Sequence, residues 1–109
     1  MSRKGRVFSN GQFAGIIEES DSGYSFSYDP VYLADQNSRP ICFAMPKRIE
    51  EYTALNIFPF FYGLLAEGVT CRIQCRKLKL DESDYFGRLL KTGSGDVIGS
   101  ITVEEVVES

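Results

Sequence analysis

An alternation of aromatic and serine residues, Tyr24-Ser25-Phe26-Ser27-Tyr28, restricts the folds open to this chain more than any other feature of its sequence. Successive side chains of a β-strand point to opposite faces, so a period of two predicts a strand with one buried, aromatic face. Upstream, Asn10-Gly11 separates two strand-like segments, residues 6–9 and 12–17. Asn-Gly favours the two-residue type I′ turn of a hairpin, because both central positions need a positive φ. We therefore predict three antiparallel strands, with a polar turn at residues 18–23.

The middle of the chain predicts a short helix followed by a short strand. Asp29-Pro30 begins the helix, because aspartate caps a helix N-terminus and proline suits its first position. Residues 41–45 are apolar and end at Pro46, which predicts a strand. Residues 47–52 are polar and predict a loop between a strand-rich half and a helical half.

The second half of the chain predicts three helices and a final strand. The first helix begins at Pro59, and the second extends over residues 70–78 with Ile73 and Leu78 inward. The third extends over residues 85–91 and follows an acidic capping cluster at 81–84. A turn at residues 93–96 leads to a strand over 97–103, which must pair with the N-terminal strands to bury its apolar side. We predict an α+β domain over residues 1–103, with a mostly antiparallel sheet, helices packed on one side, and a fraying acidic tail at 104–109.

Composition narrows the function classes. The chain has 109 residues, enough for one domain, and its 15 acidic and 12 basic residues give a net charge of −3. Direct nucleic-acid binding is disfavoured, because phosphate recognition needs a basic excess. The longest apolar run, residues 57–66, contains Pro59 and Gly63 and is too short to span a membrane. With no recognisable signal peptide, the expected location is the cytoplasm.

Candidate chemistry is sparse. The chain has no histidine, which removes Ser-His-Asp and Cys-His arrangements. Its carboxylate pairs lie in predicted turns, loops or caps, where exposure to solvent explains them. The glycine-rich segment 93–95 precedes a predicted strand, whereas a phosphate-binding loop precedes a helix. Cys42, Cys71 and Cys75 are better interpreted as buried reduced thiols than as a zinc site. We expect no catalytic residue, no cofactor and no metal, and hence no enzyme.

An aromatic segment, residues 58–62, is the strongest physical indication of binding. Four of its five residues are aromatic, and a helix buries only part of its perimeter. Either all the rings pack between helix and sheet, or one or two face outward and anchor a partner, since aromatic rings are enriched at interface hot spots.

The series of motifs resembles the N-terminal subdomain of HipA-type serine/threonine kinase toxins. The resemblance extends from about residue 7 to 103, and two local departures are Ala66, where the family often has proline, and residues 42–46. It is carried by the following segments in order: Asn10-Gly11-Gln12 with Ala14-Gly15, the alternating run 24–28, Tyr32-Leu33, Arg39-Pro40, residues 59–68 followed by Arg72, and residues 93–100.

The resemblance implies a role in a bacterial toxin–antitoxin system. In full-length relatives a kinase core follows this subdomain, and a chain holding the subdomain alone looks like the HipS-type antitoxins of split HipBST systems. That likeness implies an antitoxin that binds and neutralises a cognate HipT-like kinase in trans, with a HipB-like DNA-binding protein joining through the complex. The alternative is an accessory subunit that completes a HipA-like kinase and its repressor complex without inhibiting it. A regulator that binds nucleic acid alone is a further rival, disfavoured by the acidic charge.

The segment expected to bind the partner runs from residue 60 to residue 70. It is apolar at first and then turns at Glu67-Gly68, which would present neighbouring side chains at a protruding bend. An ordinary helix–helix connection explains the same pattern equally well. The candidate partner-binding residues are Phe60, Phe61, Glu67, Gly68, Val69 and Thr70.

Overall fold

The structure of the chain, a computed structural model, describes residues 3–92 and 101–106. Its strands form one antiparallel sheet in the order β4-β3-β2-β1-β5. This arrangement confirms the predicted α+β class. The elements are β1 (Arg3–Ser9), β2 (Gln12–Ser20), β3 (Gly23–Tyr28), α1 (Pro30–Ala34), β4 (Tyr52–Ala54), α2 (Pro59–Tyr62), α3 (Gly68–Leu78), α4 (Tyr85–Thr92) and β5 (Ile101–Glu105).

The first hairpin forms as the sequence predicts. Asn10 has φ of 50° and Gly11 φ of 81°, so both turn positions adopt the left-handed conformation. The turn predicted at residues 18–23 is wrong in extent, because β2 continues to Ser20. Glu19 belongs to the sheet, where its carboxylate accepts hydrogen bonds from Arg3 and from the Tyr24 hydroxyl.

The last strand pairs with the first, as predicted, with Val103 opposite Val7. Glu104 and Glu105, assigned to the tail by the sequence analysis, are part of this strand. The Val106 amide also donates to the Lys4 carbonyl at 3.0 Å, which extends the order beyond the strand. The predicted turn at 93–96, the first part of the predicted strand at 97–100 and the tail at 107–109 lie outside the described residues.

The strand predicted at residues 41–45 is wrong, since this segment forms turns. Its ends are nevertheless buried: Ile41 and Met45 join the core, and the Tyr28 hydroxyl accepts from the Ile41 amide and donates to the Met45 carbonyl. One tyrosine thus satisfies backbone groups that a strand partner would otherwise satisfy. The place beside β3 is taken by β4, Tyr52–Ala54, which begins inside the segment predicted to be a loop.

The core lies between one face of the sheet and the helices α2 and α4. Val7, Ile17 and Phe26 contribute from the sheet, and Phe61 and Phe86 from the helices, all without solvent exposure. Burying these side chains supplies most of the driving force for the fold, at about 1.5–3 kcal/mol for each large apolar side chain. Among the described residues, no helix is long and apolar enough to cross a membrane.

Candidate partner-binding surface

The short helix α2 divides the predicted aromatic segment into buried and exposed rings. Pro59 occupies its first turn, as predicted, and the helix ends after Tyr62 with Gly63 as its cap. Phe61 is fully buried and packs on Phe26, with ring centroids 5.9 Å apart. Its ring belongs to the core, so this candidate residue cannot touch a partner directly. Phe60 is half-buried and packs edge-on against Phe61 at 5.3 Å.

The outward-facing ring of this segment is Tyr62, which was not among the candidate residues. Its side chain is 46% exposed and meets Tyr85 of α4 edge-on, with centroids 5.1 Å apart; Tyr85 is 37% exposed. The two tyrosines form a supported aromatic pair at the surface. Tyr85 was missed because it lies far along the chain, and nothing in its local sequence indicates that it meets α2.

The bend predicted at Glu67-Gly68 exists, and it begins α3. Glu67 is the N-cap residue, but its carboxylate makes no capping hydrogen bond and the side chain is exposed. Gly68 has φ of 62°, a conformation that side-chain-bearing residues adopt at a cost. Val69 is 61% exposed and Thr70 is also exposed. The structure therefore brings these four candidate residues together on one solvent-facing turn.

A buried arginine holds this bend against α4. The Arg88 guanidinium donates through Nη2 to the Ala66 carbonyl at 2.6 Å and through Nη1 to the Glu82 carbonyl at 3.0 Å. It lies at the side of a cleft of about 420 Å³, which is also lined by Tyr62 and Glu67. Arg88 was not predictable from the sequence, because an arginine inside a helical pattern is normally a solvent-facing residue. Its two hydrogen bonds connect the segments before and after α3.

Helix α3 is rotated differently from the prediction. Cys71 and Cys75 are its buried residues, whereas Ile73 and Leu78 are exposed, so the prediction that the latter two face inward is wrong. Residues four apart share a helix face and a residue two positions on lies near the opposite face, so burying both thiols turns Ile73 outward. The three cysteines are free, and both thiols of α3 are buried as expected, whereas Cys42 is only half-buried, so the prediction of a buried thiol is wrong at that position.

The start of α4 is tied to the sheet by an ion-pair cluster around Arg3. Its guanidinium donates to Asp84 at 2.9 Å and to Glu19 at 2.8 Å, and lies over the Phe86 ring. Asp84 also accepts the Gly87 amide at 3.1 Å, which confirms the predicted capping role of this acidic segment. The hydrogen bond from Arg3 lowers the pKa of Asp84 below its ordinary value. This cluster fixes the helix that carries Tyr85 and Arg88.

The described residues offer little for catalysis. Within 3–92 and 101–106, no group of three cysteine or carboxylate side chains is placed to hold a metal ion. Glu19 and Asp84 do converge, but on Arg3, in an ion-pair cluster that connects sheet and helix. In that same part of the chain, every buried side-chain nitrogen or oxygen has a hydrogen-bond partner. The described geometry presents an exposed surface formed by Tyr62, Tyr85 and residues 67–70.

Comparison with known proteins defines the class to which this fold belongs. A solved structure, "N-terminal domain of HipA toxin", matches with a TM-score of 0.73 and 27% sequence identity, covering 98% of this chain and 95% of that one. The family model of the HipA N-terminal domain matches residues 5–104. The chain therefore belongs to the HipA N-terminal domain family, as the sequence motifs indicated.

Two curated relatives differ greatly in length. An uncharacterized protein of Haemophilus influenzae is 31% identical over 103 residues, which cover 94% of this chain and 92% of that protein. The "Putative kinase Y4mE" of Sinorhizobium fredii is 30% identical over 96 residues, covering 87% of this chain but only 23% of that protein. The matched domain thus makes up nearly all of one relative and under a quarter of a relative that is named as a kinase.

Proposed function

We propose that this chain is an antitoxin that binds a cognate HipT-like serine/threonine kinase in trans and neutralises it. The observation that carries the proposal is the exposed surface formed by Tyr62, Tyr85 and residues 67–70, held in place by Arg88 on a HipA N-terminal domain fold. Support also comes from the two relatives, because the same domain occurs within a longer kinase-named protein and as nearly the whole of another protein. In the longer relative, the domain is thus part of a chain that is named as a kinase.

The form of the surface suits binding to a preformed cleft. Tyrosine rings bury a large area at low cost in conformational entropy, and the tyrosine pair is already fixed before binding. Kinases catalyse phosphoryl transfer by positioning nucleotide phosphates, metal ions and the acceptor hydroxyl, so a protein lodged beside these groups stops the reaction without any chemistry of its own. In this proposal the bend at residues 67–70 enters the kinase and the tyrosines pack at its rim.

The proposed test is co-expression with a candidate HipT-like kinase, followed by pull-down and a growth assay. The test variant carries Glu67→Ala, Val69→Ser and Thr70→Ala, and we expect it to lose the rescue of growth. A matched control replaces an exposed glutamate, aliphatic residue and threonine elsewhere: Glu50→Ala, Ile49→Ser and Thr53→Ala. If the test variant folds and suppresses the kinase at the wild-type dose, residues 67–70 are not the inhibitory site.

A second candidate function follows from the kinase-named relative, in which this domain is part of a longer protein. In that case the chain is an accessory subunit that completes a HipA-like kinase and its complex with a HipB-like DNA-binding protein. Titrating the purified chain into a kinase assay separates the two proposals. Falling phosphorylation supports the antitoxin, whereas constant or rising phosphorylation in a stable complex supports the accessory subunit. Either role places the chain in the cytoplasm with its partners.

A further inference from the structure

Helix α3 buries few side chains against the rest of its domain. It buries only Cys71 and Cys75, both small, whereas the shorter helix α4 buries five residues. A helix of 11 residues is marginal in water without tertiary packing, because nucleation is costly. The opposite face of α3 is uncovered by the described residues and is available to stabilise the helix further.

That outer face combines an aliphatic pair with exposed cations. Val69 and Ile73 are four residues apart and are 61% and 52% exposed. Arg72 and Arg76 lie beside them on the same face, spanning together with the aliphatic pair an arc of about 100°. We refer to these four residues and the neighbouring, exposed Lys77 as the α3 face.

The arginines of the α3 face differ from the cations that tie the elements of the domain together. Arg3, Arg88 and Lys91 each donate hydrogen bonds to carboxylates or backbone carbonyls. In the described residues, neither Arg72 nor Arg76 makes a side-chain hydrogen bond or ion pair. Like charges four residues apart destabilise a helix, and no direct ion pair with a described residue offsets the repulsion between Arg72 and Arg76. On a chain of net charge −3, the α3 face carries three cations, and Asp81 and Glu82 lie at its edge in the same cleft as Arg72 and Arg76.

We propose that the α3 face docks on an acidic surface of the partner kinase that has an apolar centre. The inference rests on the proposed function and extends its binding surface: Val69 belongs to both, so the contact would continue from Tyr62 across the bend and along α3. Charge complementarity favours an acidic partner, since the guanidinium groups of Arg72 and Arg76 form no ion pair with the described residues, although Asp81 and Glu82 line the same cleft. The aliphatic pair adds burial of apolar area at the centre of that contact.

The test measures the dissociation constant of the complex between the full chain and the kinase at about 50 mM and about 500 mM NaCl, a range over which screening shortens from about 14 to about 4 Å. The variant is Arg72→Gln/Arg76→Gln, and the control is Arg6→Gln/Arg39→Gln, which removes two other exposed arginines and the same charge. Glutamine retains helix propensity, so α3 is preserved. We expect the variant to bind about tenfold more weakly at low salt and to lose most of its salt dependence. The control should bind as the wild type does.

A second variant, Ile73→Ser, separates the apolar contribution. It should weaken binding by a similar factor at both salt concentrations, because apolar burial is not screened. Wild-type affinity and salt dependence in Arg72→Gln/Arg76→Gln would overturn the inference while leaving the proposed function intact. A second result would also overturn the inference: the wild type binds a DNA duplex in a salt-dependent way, and Arg72→Gln/Arg76→Gln loses this binding while its kinase binding is unchanged. That result would assign the basic face to nucleic acid. Absence of any wild-type complex with the kinase would overturn the proposed function and this inference together.

Discussion

Phe61 and Tyr62 are neighbours in α2, yet one ring is in the core and the other is at the surface. Phe61 has no solvent exposure and makes ring contacts with Phe26, Phe58 and Phe60. Tyr62 is 46% exposed and has one ring contact, with Tyr85. Replacing each in turn with leucine therefore separates a structural contribution from a binding contribution within one helix.

The expected loss for Phe61→Leu follows from its contacts. Aromatic pairs contribute about 0.5–1.5 kcal/mol each beyond burial, and the smaller side chain leaves unfilled volume, so we expect the free energy of unfolding to fall by about 2 kcal/mol. For a domain of this size that corresponds to a decrease in Tm of about 8–16 °C. The variant stays folded at room temperature, since natural domains have about 5–15 kcal/mol of stability.

The assay is urea unfolding followed by far-ultraviolet circular dichroism, with kinase binding measured on the same preparations. Phe61→Leu should shift the unfolding midpoint and leave kinase affinity nearly unchanged under native conditions. Tyr62→Leu should lower the free energy of unfolding by only about 0.5–1 kcal/mol, because it loses the ring pair with Tyr85, and should weaken kinase binding. The reasoning is refuted if Phe61→Leu has wild-type stability but binds the kinase poorly, because its ring would then contact the partner directly.

Three further predictions concern stability and reactivity. Because Arg3 lowers the pKa of Asp84, the stability from this pair is present above the ordinary carboxyl pKa and is lost as the pH falls through the lowered value. The variant Asp84→Asn keeps a capping side chain but has no carboxylate to protonate. In unfolding titrations from about pH 6 to about pH 3, it should therefore lose less stability than the wild type. Gly68→Ala should lower the free energy of unfolding by about 1 kcal/mol, because alanine is strained at this positive φ even though there is open space for its Cβ atom. An unchanged urea midpoint would contradict the assigned bend. Half-buried Cys42 should react with a thiol reagent faster than the two buried thiols of α3; three equal rates in a time course would show that α3 is not packed as described.

Elements with a strong local pattern were predictable. The alternation at residues 24–28 has the period of a strand, and Asn10-Gly11 supplies the backbone freedom of a tight turn, so both follow from short-range sterics and side-chain geometry. Helix α4 was predictable for the same reason, since it has an acidic cap before a strongly amphipathic pattern. The family motifs likewise depend on residues that are identifiable without contacts, and the family match confirmed them.

Features that depend on competition between distant segments were not predictable. Residues 41–45 are more apolar than Tyr52–Ala54, yet the latter pairs with β3, while the Tyr28 hydroxyl bonds the Ile41 amide and the Met45 carbonyl at the two ends of the former. The rotation of α3 was decided in the same way: its apolar side chains lie on two sides, and only packing against the domain selected the thiols for burial.

The binding surface shows the same division. From sequence alone, the aromatic segment and a turn at Glu67-Gly68 were predictable, because proline and glycine act locally, but a protruding bend and an ordinary helix–helix connection stayed open. The tertiary structure decided which ring is buried, brought Tyr85 to Tyr62, and placed Arg88 under the bend. Those choices depend on side chains distant in sequence that compete for one limited volume, and no local pattern records the outcome of that competition.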